Sequence, residues 1–357
     1  MTAVAMVVLA AGASAAPGKT GFEVLTLGGG PRAAASGGAG VARLAGGVDE
    51  VFLNPAALAW SSRPEGWSSF ASLPGDVRMT ELGAGFPAGP FGSFAAHVQQ
   101  LAHDPIPAYD ASSARVGDVR ASDTLALLGW AHPAGRFVSV GVNVKIVRSR
   151  LASVSGGAKA VDLGVGGSVP WIRGLSYGAV LRNMGPPGSI GGEPVDLPRE
   201  EAAGVTHRFL GDALVVSADV SRRAGRSSPV FTAGGEYWLR DMLALRAGYG
   251  ALKGPGPGAT FGLGFKLSPR VRLDYSYSPL GDFGEVHRFS LSVGFGGGRA
   301  AAYYEEGVRR LREGDDPEAV ILFDKALSLE PDHPSAARLL KEAGERMRDR
   351  AARYGGK

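Results

Sequence analysis

The sequence predicts an all-β transmembrane barrel of about fourteen antiparallel strands, an even number as such barrels require, followed by a small α-helical module. Three observations carry this. Apolar residues make up 45% of the 357-residue chain, yet no uninterrupted apolar run approaches the roughly 20 residues that a membrane helix needs. Between residues 60 and 297, large apolar residues alternate with small or polar ones at a period of two. From residue 299 to 353 the period changes to that of densely charged helices.

Taken in order, residues 1–15 read as an export signal. Val4 to Ala11 form a short apolar core, and Ala13-Ser14-Ala15 supplies a small-x-small cleavage site, although no Lys or Arg precedes the core. Residues 16–59 are rich in Gly and Ala and end in Asn54-Pro55-Ala56. Their glycines are not a phosphate loop, because no Lys-Ser/Thr pair follows them. Small residues such as Gly37, Gly38 and Gly40 suit a plug packed closely inside a lumen. The Asn54-Pro55-Ala56 turn would mark where plug becomes wall. It reads equally as a gate or anchor and as a turn needed only for folding.

Residues 60–297 form the barrel. Val138, Val140, Val142, Val144 and Ile146 alternate with Ser139, Gly141, Asn143 and Lys145, which puts the two sets on opposite faces of a strand. The expected strands are 66–72, 77–86, 91–101, 121–131, 136–149, 159–169, 174–182, 200–208, 213–222, 229–238, 243–251, 258–267, 270–278 and 286–296. Every second connection is short: 87–90, 132–135, 170–173, 209–212, 239–242 and 268–269. The intervening ones, such as 102–120, 150–158 and 183–199, are longer. Short turns at one rim and long loops at the other are the habit of outer-membrane barrels, with the short rim periplasmic. A soluble sandwich, the competing architecture, has no reason for this asymmetry.

Trp60, Trp67, Trp130, Trp171, Tyr177, Tyr237, Trp238 and Tyr249 fall near strand ends, as an aromatic girdle or ordinary core packing would place them. Asp162, Glu236 and Asp274 lie in strands alongside Lys145, Arg246 and Arg272. They are expected to face the lumen, because Arg or Lys on the lipid face costs ~2–4 kcal/mol near the midplane.

Several functions are excluded or unsupported. The chain has no cysteine, hence no disulfide, thiolate metal site or Cys nucleophile. Its six histidines show no metal-binding spacing, and no Gly-x-Ser-x-Gly elbow is present. A formal charge of +4 with scattered basic residues does not signal nucleic-acid binding. No catalytic residue, metal site or cofactor is expected.

After Gly298, Gly307, Ala319, Phe323, Ala326 and Pro331 follow Tyr303 at spacings that resemble one tetratricopeptide repeat, with Arg310 where an aromatic is usual. Helices are expected at 303–313, 317–329 and 335–352. Gly314-Asp315-Asp316-Pro317 would end the first and start the second.

Across residues 21–296 the chain resembles the PorV/PorQ family of outer-membrane proteins, relatives of FadL-type transporters. The passages are Gly21-Phe22 through Asn54-Pro55-Ala56, Asp162-Leu163-Gly164, Asn183-Met184-Gly185, Gly235-Glu236-Tyr237, Leu245-Arg246-Ala247-Gly248-Tyr249, Leu273-Asp274-Tyr275 and Gly284 to Ser290. The resemblance implies a FadL-like fourteen-strand barrel with its N-terminal segment in the lumen. It also implies either the handling of secreted protein cargo in type IX secretion or the passage of a hydrophobic ligand through the lumen. Outer-membrane lipid would surround the wall, and the helical module would lie in the periplasm, where it could bind a protein partner.

Overall fold

The computed structural model describes residues 20–226, 228–250, 258–296, 299–331 and 334–354. The expected export signal lies outside the described residues. The strands are β1 Glu65–Leu73, β2 Val77–Pro87, β3 Ser93–His103, β4 Ile106–Tyr109, β5 Arg115–Val119, β6 Ala121–Pro133, β7 Val138–Leu151, β8 Val154–Ser168, β9 Leu175–Met184, β10 Gly188–Ile190, β11 Glu193–Val195, β12 Glu200–Phe209, β13 Leu214–Arg223, β14 Val230–Leu239, β15 Leu243–Gly250, β16 Ala259–Ser268, β17 Val271–Pro279 and β18 Glu285–Gly294.

Sixteen of these belong to one antiparallel sheet. Fourteen close on themselves, with β1 paired to β18 and β8 to β9. The short β10–β11 hairpin hangs on the end of β8 at Gly156 and Gly157. The β4–β5 hairpin stands apart in the β3–β6 connection. In its turn, hydrogen bonds from the Ser112 hydroxyl and the Ala114 amide hold the Asp110 carboxyl below its ordinary pKa range.

The alternation sorts residues between two environments. On β7, Ser139, Gly141, Asn143, Lys145 and Val147 point inward and are buried, while Val140, Val144 and Ile146 are exposed. The same holds around the wall, leaving an outward band that includes Leu82, Leu128, Phe231 and Phe261. Such a band has a stable partner in hydrocarbon rather than in water.

The loop pattern needs correction. The rim where β1 begins and β18 ends carries the tight turns 88–92, 134–137, 169–174, 210–213, 240–242 and 269–270. The opposite rim carries the excursions 104–120 and 185–199, but the β7–β8 connection there is only 152–153, because both strands run on through the expected loop. The difference between the rims therefore rests mainly on two loops, each containing a hairpin.

The aromatic girdle also holds only in part. Trp130, Trp171, Tyr177, Tyr237 and Tyr249 are exposed on the wall or its rim. Trp67 instead faces inward at 3% exposure, its ring tilted at 35° to His97 at 5.3 Å. Trp238 donates to the lumenal carboxylate Glu236, and Trp60 lies before the first strand and donates to Ser139.

Beyond β18 come α2 Arg299–Glu313, α3 Asp316–Leu329 and α4 Pro334–Tyr354. Asp315 caps α3 by accepting from the Glu318 amide. Phe323 and Ala319 are fully buried against Leu311, Ala343 and Tyr304. A Cβ on Gly307 would meet the Phe323 ring at 2.8 Å, so Gly307 sets the close approach of α2 and α3. Tyr304, not Tyr303, joins this core; Tyr303 lies under the Lys325 ammonium at 5.7 Å. Ala326 is buried and Pro331 is exposed in the turn after α3. Arg310 pairs with Glu306 instead of packing. Truncating Phe323→Ala is expected to remove ~3–5 kcal/mol from the helical module. Thermal circular dichroism at the helical wavelength should then show an early transition, with the strand signal unmoved. A single unshifted transition would contradict this core.

Candidate functional site

The site is the barrel lumen and the segment that fills it. Residues 20–61 traverse the lumen from rim to rim. Thr20 bridges Asp196 at the long-loop rim, and Ser61 to Pro64 deliver the chain to β1 at the other. The segment is irregular: 3-10 turns at Glu23–Thr26, Val48–Phe52 and Pro55–Trp60 surround one short helix, α1 Gly30–Ala35. Val24, Leu25, Val51, Phe52 and Leu58 pack with Leu125, Leu127, Val147 and Ala160 of the wall.

Where apolar packing ends, charges take over in a closed circuit. Arg32 on α1 donates to both oxygens of Glu236 at 3.0 and 2.8 Å. Arg246 reaches Glu236 at 2.6 Å and Asp274 at 2.7 Å. Arg272 lies 2.7 Å from Asp274 and 3.7 Å from Asp49. Glu50, next to Asp49, returns to Arg32 at 3.4 Å. The ring runs from segment to β14, β15 and β17 and back. Arg246 crosses over β16 only because Gly264 lies beneath: a Cβ there would sit 2.8 Å from the Asp274 carboxylate. Buried charges are tolerable when every one is paired in this way.

A second cluster seals an irregularity in the wall. Pairing between β8 and β9 slips between Val161 and Leu163, and Asn183 takes a left-handed φ of 57°. Asp162 repairs the gap by accepting from the Asn183 amide at 2.8 Å. Its other oxygen accepts from Asn143 at 2.8 Å and pairs with Lys145 at 2.7 Å. Lys145 also donates to the Asn183 side chain, and Asn143 donates to the carbonyl of Val51 in the segment.

The Asn54-Pro55-Ala56 turn lies flat on the wall. Asn54 donates to the carbonyls of Val41 and Val165 and accepts from the Ala56 amide, all at 2.9–3.0 Å. Beneath it, Gly141 and Gly164 face each other across β7 and β8. A Cβ on either would overlap the turn's atoms. Gly37 turns at a φ of 66° against the Tyr249 backbone, while the amides of Gly40 and Val41 donate to Asp219 at 2.7 and 2.9 Å. Gly38 has open space around it. Of the residues singled out from sequence, Lys145 and Asp162 meet in one cluster and Glu236, Arg246, Arg272 and Asp274 in the other.

Sequence reasoning missed Arg32, Asp49, Glu50, Asn143, Asn183 and Asp219, which take part in more than half of these bonds. Charges inside a Gly/Ala-rich stretch were the available signal for the first three. It also missed Glu81 and His97, both buried on β2 and β3 at 3.7 Å from each other, whose side chains make no hydrogen bond to a described residue.

Above the ion ring, toward the long-loop rim, lies a cavity of about 450 Å³. Leu25, Ala34, Val41 and Leu53 of the segment and Ala202 and Val230 of the wall contribute its apolar lining. Arg182 and Arg223 line it too, each paired to Glu200, at 3.4 and 3.1 Å. The cavity reaches the rim at Arg226 and Leu280 and ends below at Ala33 and Ala34 of α1.

Solved barrels share this architecture. The toluene transporter TbuX of Ralstonia pickettii superposes at a TM-score of 0.53 with 15% identity, covering 78% of this chain and 100% of its own. A deltaS2 mutant of the TodX monoaromatic hydrocarbon channel gives 0.56 at 15% identity, covering 76% and 100%. A Pseudomonas aeruginosa FadL homologue gives 0.51 at 12% identity, covering 75% and 98%. The fold is FadL-like. No family model matches the chain, and no curated protein matches it.

Replacing Arg246 with Met leaves Glu236 and Asp274 short of a buried partner and is expected to cost ~3–5 kcal/mol. Heat-induced loss of the compact barrel band on unboiled gels should move to lower temperature. Gly164→Val, which displaces Asn54, should lower it by a smaller step of ~1–3 kcal/mol. An unchanged midpoint for Arg246→Met would remove the ring from the account of stability.

Proposed function

We propose that the chain is an outer-membrane barrel that admits small hydrophobic molecules into its lumen from the long-loop rim. The observation that carries this reading is the largely apolar cavity between residues 25–53 and the wall. Ligand sites of a few hundred Å³ are concave, mostly apolar and furnished with few polar groups. The exposed apolar band supports residence in a bilayer, and the FadL-like fold supports an outer membrane. Under this reading residues 20–61 act as the plug, Asn54-Pro55-Ala56 as its anchor, and the long-loop rim faces outward. The protein is a carrier or channel, not an enzyme.

The helical module is the one feature that favours a second role. The Gly307–Phe323 contact supports its reading as a single tetratricopeptide-like repeat. It follows the last strand at the tight-turn rim, which this orientation makes periplasmic. A periplasmic protein bound there, or secreted cargo as the PorV/PorQ resemblance implies, would engage the module and not the lumen.

The test is uptake of labelled toluene by cells that lack their own channels of this kind and express the full chain. Ala202 lines the cavity and is buried, so Ala202→Trp should fill the cavity and return uptake to the level of empty cells. Equal uptake with and without the protein, across a panel of aromatic and alkyl compounds, would sink the channel reading.

A further inference from the structure

The outward faces of β2, β3, β6 and β7 change character at one row of the register, and on β8 the change comes one row nearer the tight-turn rim. Toward the tight-turn rim they carry exposed Leu82, Val98, Leu128, Val144 and Leu163. Toward the long-loop rim the register aligns Thr80, Gln100, Thr124 and Arg148 in one row across four strands. The next row is Arg78, Ala102, Ser122 and Arg150. Lys159 follows on β8, diagonal to Arg148. No outward-facing position on these five strands is a carboxylate among the described residues.

Three of these four cations have no carboxylate partner among the described residues, and the fourth, Arg78, keeps an exposed guanidinium. Arg78 pairs with Asp104 in the adjoining loop. Arg148, Arg150 and Lys159 are exposed and make no ion pair or side-chain hydrogen bond with a described residue. The far side of the barrel is different. There Glu201 faces Arg222 across β12 and β13, and Glu285 accepts from Tyr277 and contacts His287. The positive face is thus confined to one arc of the wall, directly above its apolar band.

We infer that this arc docks the phosphate groups of an anionic glycolipid in the outer leaflet. Its chemistry fits. Guanidinium groups grip phosphate oxygens in a fork, and long basic side chains at a membrane boundary keep their stems in hydrocarbon while the charge meets the headgroups. From Arg78 to Arg150 is three strand spacings, roughly 14 Å at ~4.8 Å each, the span of a headgroup bearing two phosphates. Serine, threonine and glutamine between the cations can donate to sugar and phosphate oxygens. The leaflet assignment rests on the proposed outward orientation of the long-loop rim.

The full-length protein, purified in detergent, would be titrated with lipid A by native mass spectrometry. Lipid A stripped of phosphate, phosphatidylethanolamine and inorganic phosphate serve as comparison probes. Wild type should retain lipid A, and a triple variant R148Q/R150Q/K159Q should bind it roughly 100-fold more weakly, as expected from losing three headgroup-facing cations. Removing the lipid's phosphates should have the same effect, and free phosphate should not compete. Unaltered heat stability of the compact band would show that the variant is folded, and unaltered toluene uptake would separate this surface from the lumen. Equal retention by wild type and variant overturns the proposal, as does equal binding of phosphatidylethanolamine. A wild-type dimer that the triple variant abolishes would overturn it in favour of a second copy of the chain.

Discussion

The circuit Arg32, Glu236, Arg246, Asp274, Arg272, Asp49 and Glu50 is the constraint on which the rest of the lumen depends. Each charge in it is buried except the half-buried Arg272, and each has at least one opposite neighbour within 3.7 Å. In a medium of low dielectric such a set is stable only when complete. Neither the wall nor the segment can complete it alone: the wall strands bring Glu236, Arg246, Arg272 and Asp274, and the segment brings Arg32, Asp49 and Glu50. Docking of the segment is therefore what makes an inward-facing charged wall tolerable. The wall in turn gives an irregular, weakly helical segment a fixed place.

Close approach is the condition for that exchange, and it explains the glycine content better than chain flexibility does. Gly264 clears the path of Arg246, and Gly141 and Gly164 clear the bed of the Asn54 turn. These glycines belong to the wall as much as to the segment. A strand interior loses stability when it carries Gly, so their presence at inward positions facing the segment marks where backbone meets backbone. Asn54 then bonds directly to a wall carbonyl, and Asp219 to segment amides, without intervening side chains.

The architecture was legible in the sequence because alternation reports a two-sided environment, and β7 shows it over its whole length. Strand ends were less so: β8 begins at Val154 where residue 159 was expected, because the pattern cannot distinguish a strand that outruns the membrane from a loop. Inward direction was legible for Lys145, Asp162, Glu236, Arg246 and Asp274, since charge in a strand has one affordable side. Partner identity was not. Arg32, Asp49 and Glu50 come from a segment without period, and their distance in sequence from β14 and β17 leaves no local signature. Trp67 failed for a related reason: a large aromatic near a strand end suits either face, and its neighbours Gly30 and Gly83 decide that it turns inward. Tyr303 and Tyr304 are adjacent, so spacing alone could not choose which of them packs on Phe323.

The same circuit limits what the cavity can do. The cavity lies above the ring, so a molecule entering at Arg226 and Leu280 passes the Arg182–Glu200–Arg223 cluster at the rim, then apolar side chains, and would reach the ring last. An apolar ligand offers the ring no substitute hydrogen bonds. It cannot separate Arg32 from Glu236 by competing for either group. Passage beyond the cavity therefore requires the segment to shift with its charges still compensated, or the ligand to leave without crossing the ring. Asp49 is the weakest joint, at 3.7 Å from Arg272 against 2.6–2.8 Å for the bonds around Glu236 and Arg246. A displacement that begins at residues 48–52 parts this longest ion pair of the ring first, and it also breaks the bond from Asn143 to the Val51 carbonyl. It also moves Phe52 and Leu53, which line the cavity, so the apolar cavity and the charged circuit meet in one short turn of the chain.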